Sequence, residues 1–256
     1  MSRLDSAVYE LHTMDLLAAR DQWLNRIWPL AKLILTIVYI GVVVSFSNYD
    51  LARLLLMGIY PVVLFILGEL SFRDSIRRLR FVLPLVCIIG IFHPLYDRQI
   101  LFTIGNVPVS GGVVSMLTLI VKGCYSVFAS YLLIATTRIE KLCAALRKLH
   151  VPAVFVTQIL LTYRYISVLL EEAHRMMQAY ALRAPGQKGI QVRSWGSFAG
   201  YLLLRSMDRA SQVYESMTLR GYQADFSYAT EEKPRGRDMI YLVVWCAVFA
   251  GIRFGL

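Results

Sequence analysis

Two short signatures, Ala181-Leu182-Arg183-Ala184 and Thr218-Leu219-Arg220-Gly221, each set one arginine at the end of an amphipathic helical pattern. A guanidinium carries its N–H donors in a rigid planar fork and stays charged at every physiological pH, so it can hold a carboxylate or a backbone carbonyl in one geometry. That is the chemistry of grip, suited to holding another protein. An arginine in the last turn of a helix also arises with no partner at all, since the macrodipole favours it by ~0.3–1 kcal/mol. Ala181, Ala184, Leu219 and Gly221 flank the two arginines and belong to the same candidate contact set.

Bond-making chemistry finds no comparable pattern. A phosphate loop needs Gly-x-x-x-x-Gly-Lys-Ser/Thr, and the glycine-bearing stretch Gly105–Gly112 lacks both the lysine and the helix-opening hydroxyl, so the chain is expected to carry no ATP site. His12, His93, His150 and His174 are dispersed, with no His-x-x-x-His pair, and no carboxylate cluster lies in an apolar stretch. No metal site and no cofactor are therefore expected. Neither His-Glu-x-x-His nor paired aspartates occur, which leaves a membrane-embedded enzyme as the weaker reading. Cys87, Cys124, Cys143 and Cys246 are far apart without Cys-x-x-Cys spacing, and read as small buried hydrophobes. Lys122 stands apart, because it falls near the middle of an apolar stretch where a charge is expensive and faces a bundle interior or marks function. Two readings stay open for it: backbone carbonyls near a broken neighbouring span or a partner subunit hold the ammonium, or its stem snorkels toward the interface.

The elements that position these residues follow from composition. With 57% hydrophobic residues over 256 positions and a mean hydropathy of +0.55, the chain is too apolar for a soluble domain and reads as an all-α integral membrane protein in the lipid bilayer. A net charge of +10 could suggest nucleic acid. The basic residues gather instead at the ends of apolar stretches, as positive-inside topology requires, and nucleic acid is not an expected partner. Residues 1–28 carry Asp5, Glu10, Asp15 and Asp21 and no continuous apolar core, so no cleavable signal peptide is expected.

Apolar stretches near spanning length run over 30–47, 51–70, 81–96, 112–136 and 239–256, about five spans. The third is short and interrupted by Pro84 and His93-Pro94, which predicts a kinked or broken helix packed inside the bundle. Arg20, Arg26 and Lys32 come before the first span, Arg73, Arg77, Arg78 and Arg80 lie between the second and third, and a long basic-rich stretch runs from Arg138 to Arg237. This distribution predicts a cytoplasmic N-terminus and an outward C-terminus in a multi-pass protein of the cytoplasmic membrane. Between the third and fourth spans, a Gly-Asn turn joins two β-prone runs in 98–111, which predicts a small external hairpin.

The region from Thr137 to about Tyr228 is too long for a loop and has helical periodicity of its own. Thr137 and Glu140 read as a capping box opening a short helix that Val151-Pro152 stops. A longer helix follows, with Ile159, Tyr163, Ile166, Leu170, Ala173, Met177 and Tyr180 on one stripe, until Pro185-Gly186 breaks it. After a polar linker at Gln187–Trp195, a third stripe of Leu203, Met207, Ala210, Tyr214 and Met217 is closed by Gly221. Arg164, Glu172, Arg175, Arg205, Asp208, Arg209 and Glu215 occupy the opposite faces, so these helices should lie along a surface or between partners. The expected organisation is a cytoplasmic segment over 1–29, four spans over 30–136, a cytoplasmic helical domain over 137–237 and a last span over 238–256.

These residues resemble the transmembrane T component of energy-coupling factor (ECF) importers over nearly the whole chain, most strongly from Ile134 to Phe226. Thr136-Thr137 with Leu142, Leu146 and the Leu149-His150-Val151-Pro152 break is similar to that family's entry into its coupling domain, and Tyr163-Arg164-Tyr165 to its aromatic-Arg segment. The two arginine signatures resemble its paired coupling motifs, although Leu182 and Ala184 flank Arg183 where Ala and Gly or Ser are more usual. Leu203 through Tyr222 looks most like the cobalt-type branch. The resemblance implies two cytoplasmic ATP-binding subunits docked on the helices that end at Arg183 and Arg220. It also implies a membrane substrate-binding (S) subunit that selects the cargo, with cobalt first and nickel or a vitamin such as biotin as alternatives. A self-contained channel or secondary transporter would need polar spans or two internal halves, and this pattern has neither.

Overall fold

The computed structural model describes residues 13, 16–20, 22–48, 50–70, 75–76, 79–80, 83–84, 86–88, 90, 100–104, 107–183, 191–222 and 234–254. Among them run α1 (Pro29–Ser45), α2 (Leu51–Leu56), α3 (Ile59–Leu67), β1 (Ile100–Ile104), β2 (Val107–Ser110), α4 (Gly111–Thr136), α5 (Ile139–Lys148), α6 (Ala153–Arg183), α7 (Val192–Leu219) and α8 (Gly236–Phe254). The chain divides into two compact units, residues 17–138 with 232–256, and residues 1–16 with 139–231.

The first unit is built on α1, which Pro29 opens at a position where the missing N–H costs nothing. Where the sequence predicts one span over 51–70, the structure has two helices, α2 and α3, meeting at Met57-Gly58. Pro61 explains the break: it has no N–H to give the Met57 carbonyl four residues back. The Tyr39 hydroxyl donates to that Met57 carbonyl at 3.1 Å. The Gly58 N–H reaches the Leu55 carbonyl at 3.0 Å, and a side chain at Gly58 would run into the Tyr125 hydroxyl.

Aromatic packing joins the C-terminal helix to the first two spans. The Tyr39 and Tyr60 rings lie 4.5 Å apart, and Phe249 of α8 sits 5.3 Å from Tyr39 and 5.2 Å from Tyr60, with Trp245 edge-on to Tyr60 at 4.9 Å. Tyr39 and Phe249 are among the most fully buried side chains. On the other flank, Phe65 of α3 stacks on Tyr131 of α4 at 6.1 Å. Of the expected third span, the described residues 83–84, 86–88 and 90 are helical, and His93-Pro94 lies outside the described residues. The predicted hairpin is present as β1 paired antiparallel with β2, with Ile104 opposite Val107.

In the second unit, α5 ends where the sequence places the stop. His150 takes a left-handed φ of 62°, and the Val151 N–H reaches back to the Leu146 carbonyl at 3.3 Å before Pro152. Helix α6 then runs 31 residues, and α7 runs 28. The linker is shorter than the sequence suggests: Val192 through Trp195 already belong to α7, with Gln191 as its N-cap. By length and composition α4 and α6 are both apolar enough to cross a membrane.

The apolar stripes are covered only in part. Ala173 of α6 and Cys143 of α5 are buried, but Ile159 and Ile166 are exposed. In α7, Leu203, Met207 and Tyr214 are all at least 60% exposed, so these residues of its apolar stripe have no cover among the described residues.

Candidate functional site

Arg183 is the last residue of α6. The start of α7 comes back beside it, since the Gln191 N–H donates to the Tyr180 hydroxyl at 3.5 Å. From there the helices run antiparallel: Glu172 of α6 pairs with Arg205 of α7 at 3.3 Å, and Arg209 lies over the Tyr165 ring at 5.9 Å. Arg220 caps the far end of α7, a helix ~40 Å long. The structure therefore places the two arginines at opposite ends of one helix pair.

Arg220 is held by a complete C-terminal lock. Gly221 adopts φ 80°, its N–H bonds the Thr218 carbonyl at 2.9 Å, and the Tyr222 N–H bonds the Met217 carbonyl at 3.0 Å. A glycine is needed here, because an L side chain in the left-handed region costs ~1–2 kcal/mol. The lock fixes the backbone from which the guanidinium projects. Ala181, Leu182, Arg183, Leu219, Arg220 and Gly221 are all exposed, with Leu182 and Leu219 84% and 90% exposed. Neither guanidinium, of Arg183 or of Arg220, has a hydrogen-bond or ion-pair partner among the described residues. Ala184 and the Pro185-Gly186 break lie outside the described residues.

Between the two ends lies a charged clasp that sequence reading leaves unpaired. The Glu172 carboxylate, only 18% exposed, meets Arg205 across the helix pair and Arg175 at 3.6 Å within α6. Asp208 and Arg209 complete the walls of an open cleft of about 320 Å³. The signal was present as complementary charge on both polar faces, but periodicity alone gives no pairing. Cys143, buried on α5, is an inert core residue: burial, and then the Glu140 charge, push its thiol up to about 11, so it stays protonated at neutral pH.

Lys122 is resolved by geometry. Its ammonium donates to the Phe46 carbonyl at 2.7 Å and the Val44 carbonyl at 3.3 Å. Backbone carbonyls do hold it, but they are those at the end of α1 rather than of the third span. Lys32, counted in the sequence among the charges before the first span, is instead buried in the first turn of α1 and donates to the Thr136 carbonyl at 2.9 Å. No group of three or more His, Cys, Asp or Glu is assembled among the described residues.

Comparison with known proteins identifies the frame in which these features stand. The cobalt transport protein family model, CbiQ, matches residues 20–230. The chain belongs to that family. Among individual proteins of the family and its neighbours, the chain is 32% identical over 100 residues to the cobalt transport protein CbiQ of Salmonella typhimurium, covering 38% of this chain and 44% of that one. It is 27% identical over 114 residues to the nickel permease LarQ of Lactiplantibacillus plantarum, covering 43% and 42%. The match therefore spans less than half the length of these two relatives. The energy-coupling factor transporter transmembrane protein EcfT of Listeria innocua is 23% identical over 266 residues, covering 92% of this chain and 94% of that one. These cobalt-family relatives are transport components, and the chain is a membrane protein of the ECF T-component type, in its cobalt-type branch.

Proposed function

We propose that the chain is the membrane scaffold and energy-coupling subunit of an ATP-driven importer, in which two cytoplasmic ATP-binding subunits dock on α6 and α7 and drive a substrate-binding membrane subunit. The supporting observation is the placement of Arg183 and Arg220: exposed, unpaired among the described residues, and set at opposite ends of an antiparallel pair. Two grips ~40 Å apart suit two partner molecules rather than one pocket. The uncovered stripe of α7 fits the same reading, because large exposed apolar patches mark protein interfaces. Ala181, Ala184, Leu219 and Gly221 complete the contact set around the arginines.

Cobalt is the proposed cargo, supported by the family match and the CbiQ relatives; the likeness to a nickel permease makes nickel the second reading. Selection belongs to the substrate-binding subunit. The test is purification from native membranes with uptake of both ions by the intact complex. The expected result is co-purified ATPases and a membrane partner, with cobalt taken up faster than nickel. A chain that comes away alone, or that binds cobalt tightly and stoichiometrically by itself, overturns the assignment.

Orientation is proposed with the N-terminus and residues 137–237 in the cytoplasm, and the last span returning outward, supported by the basic residues gathered there. Because α6 is apolar enough to cross a membrane, the alternative is specific: a spanning α6 would carry position 188 to the outside. In a cysteine-free background, Lys188→Cys in intact cells is expected to resist an impermeant thiol reagent until the membrane is opened. Rapid labelling from outside would refute the cytoplasmic placement.

A further inference from the structure

Helices α1 and α4 are antiparallel, and each carries one lysine whose ammonium reaches the C-terminal end of the other. Lys32, in the first turn of α1, donates to the Thr136 carbonyl at 2.9 Å and the Thr137 hydroxyl at 3.5 Å, where α4 ends. Lys122, within α4, donates to the Phe46 and Val44 carbonyls at 2.7 and 3.3 Å, where α1 ends. Arg253 of α8 joins the second group, giving a hydrogen bond to the Ser45 carbonyl at 3.3 Å and lying over the Phe46 ring.

The last carbonyls of any helix have no partner inside it, and at the buried residues Phe46 and Thr136 they call for a donor from another element. An ammonium has three donors on a flexible stem, and its charge is favoured at the negative end of a helix dipole. A helix end can thus hold an ammonium through its carbonyls. The register decides the rest. Lys32 to Phe46 and Lys122 to Thr136 are equal intervals of about 14 residues, ~21 Å of helix, so both bonds close at one alignment of the two helices. A slide of one turn, ~5.4 Å, would break both together.

We propose that Lys32 and Lys122 are positioning residues that form a reciprocal clasp locking α1 and α4 into one rigid antiparallel pair. The chain passes from the first compact unit to the second at Arg138, directly after the carbonyl that Lys32 holds. In the energy-coupling reading, on which this last step rests, motion arriving through Arg138 moves both helices as a single body instead of sliding α4 along α1.

The test uses the whole transporter in lipid nanodiscs and proteoliposomes, with Lys32→Met, Lys122→Met and the conservative Lys122→Arg. Hydrogen exchange is followed by mass spectrometry in peptides covering 40–47 and 129–137, beside cobalt uptake per ATP hydrolysed at matched abundance. A clasp predicts that either methionine substitution speeds exchange at both ends, by at least ~tenfold, because opening one end releases the register that holds the other. Uptake per ATP should fall by a similar factor, and Lys122→Arg should stay near wild type in both readouts. Faster exchange confined to the end that lost its ammonium would reduce the lysines to independent caps and overturn the clasp, as would unchanged uptake per ATP. Should Lys32→Met fail to accumulate, Lys122→Met decides alone, since its diagnostic peptide lies ~21 Å from the substitution. The exchange result stands apart from transport: a wild-type complex that moved neither cobalt nor nickel would sink the proposed function, while the two peptides would still report on the clasp.

Discussion

Arg183→Glu and Arg220→Glu are each expected to stop cobalt uptake while the protein still accumulates in the membrane at wild-type level. Both side chains project from helix ends into solvent in the isolated chain, so neither replacement removes an internal contact among the described residues. A solvated helix-end cation loses ~1 kcal/mol on reversal to a carboxylate, too little to unfold a bundle. Seated in a partner's groove against carboxylates or carbonyls, the reversed charge leaves two unfavourable groups and costs ~2–5 kcal/mol of binding. The functional and the structural readings of these arginines are therefore separated by the ratio of uptake to abundance. Their placement at the two ends of α6 and α7 adds a second expectation. Each single variant should keep ATPases attached through the remaining grip, with hydrolysis no longer driving uptake, and the double variant should release them. Near-normal uptake in both single variants, at matched abundance, would show that the arginines only cap helices.

The arginines were legible because a helix end has a local signature. Gly221 two residues past Leu219 marks the left-handed stop, and it fixes Arg220 whatever α7 packs against. The hairpin over 100–110 was legible for the same reason, a Gly-Asn turn between β-prone runs. Hydropathy likewise placed the helices α1, α4 and α8 to within a few residues of where the structure has them. It missed the division into α2 and α3, because Pro61 sits inside an unbroken apolar run, and the support that Tyr39 gives the Met57 carbonyl comes from a different helix. Lys122 declared itself as a charge in an apolar stretch, but which helix end holds it did not, and Lys32 was counted only as a flanking charge. The shortest of the bonds described for each goes to a backbone carbonyl, which every residue has, so the sequence does not reveal it. Glu172 and Arg205 did have complementary charge, but pairing them requires the alignment of α6 on α7.

The aromatic junction under the last span supports the second large effect. Phe249 is 2% exposed and touches Tyr39, Tyr60 and Trp245, drawn from α1, α3 and its own helix. Inside a membrane protein the solvent-transfer part of burial is weak, so helices are held by close packing and polar contacts, and a cavity forfeits that packing directly. Phe249→Ala should therefore destabilise the bundle by ~3 kcal/mol, near the lower end of the range for large-to-small core changes. At ~2–4 °C per kcal/mol for a chain of this size, the melting temperature in detergent should fall by ~6–12 °C. Phe249→Leu refills most of the volume and should recover more than half of the loss, while the exposed neighbour Val248→Ala should move the transition little. Tyr39 raises the stakes at this site, because its hydroxyl also serves the Met57 carbonyl at the α2–α3 break. A ring released by the cavity at position 249 can pull that hydroxyl away. Uptake at low temperature, where the alanine variant remains folded, should stay within a few-fold of wild type, since Phe249 lies in the other compact unit from Arg183 and Arg220. A melting temperature unchanged by Phe249→Ala would mean that α8 is held by contacts other than this aromatic cluster.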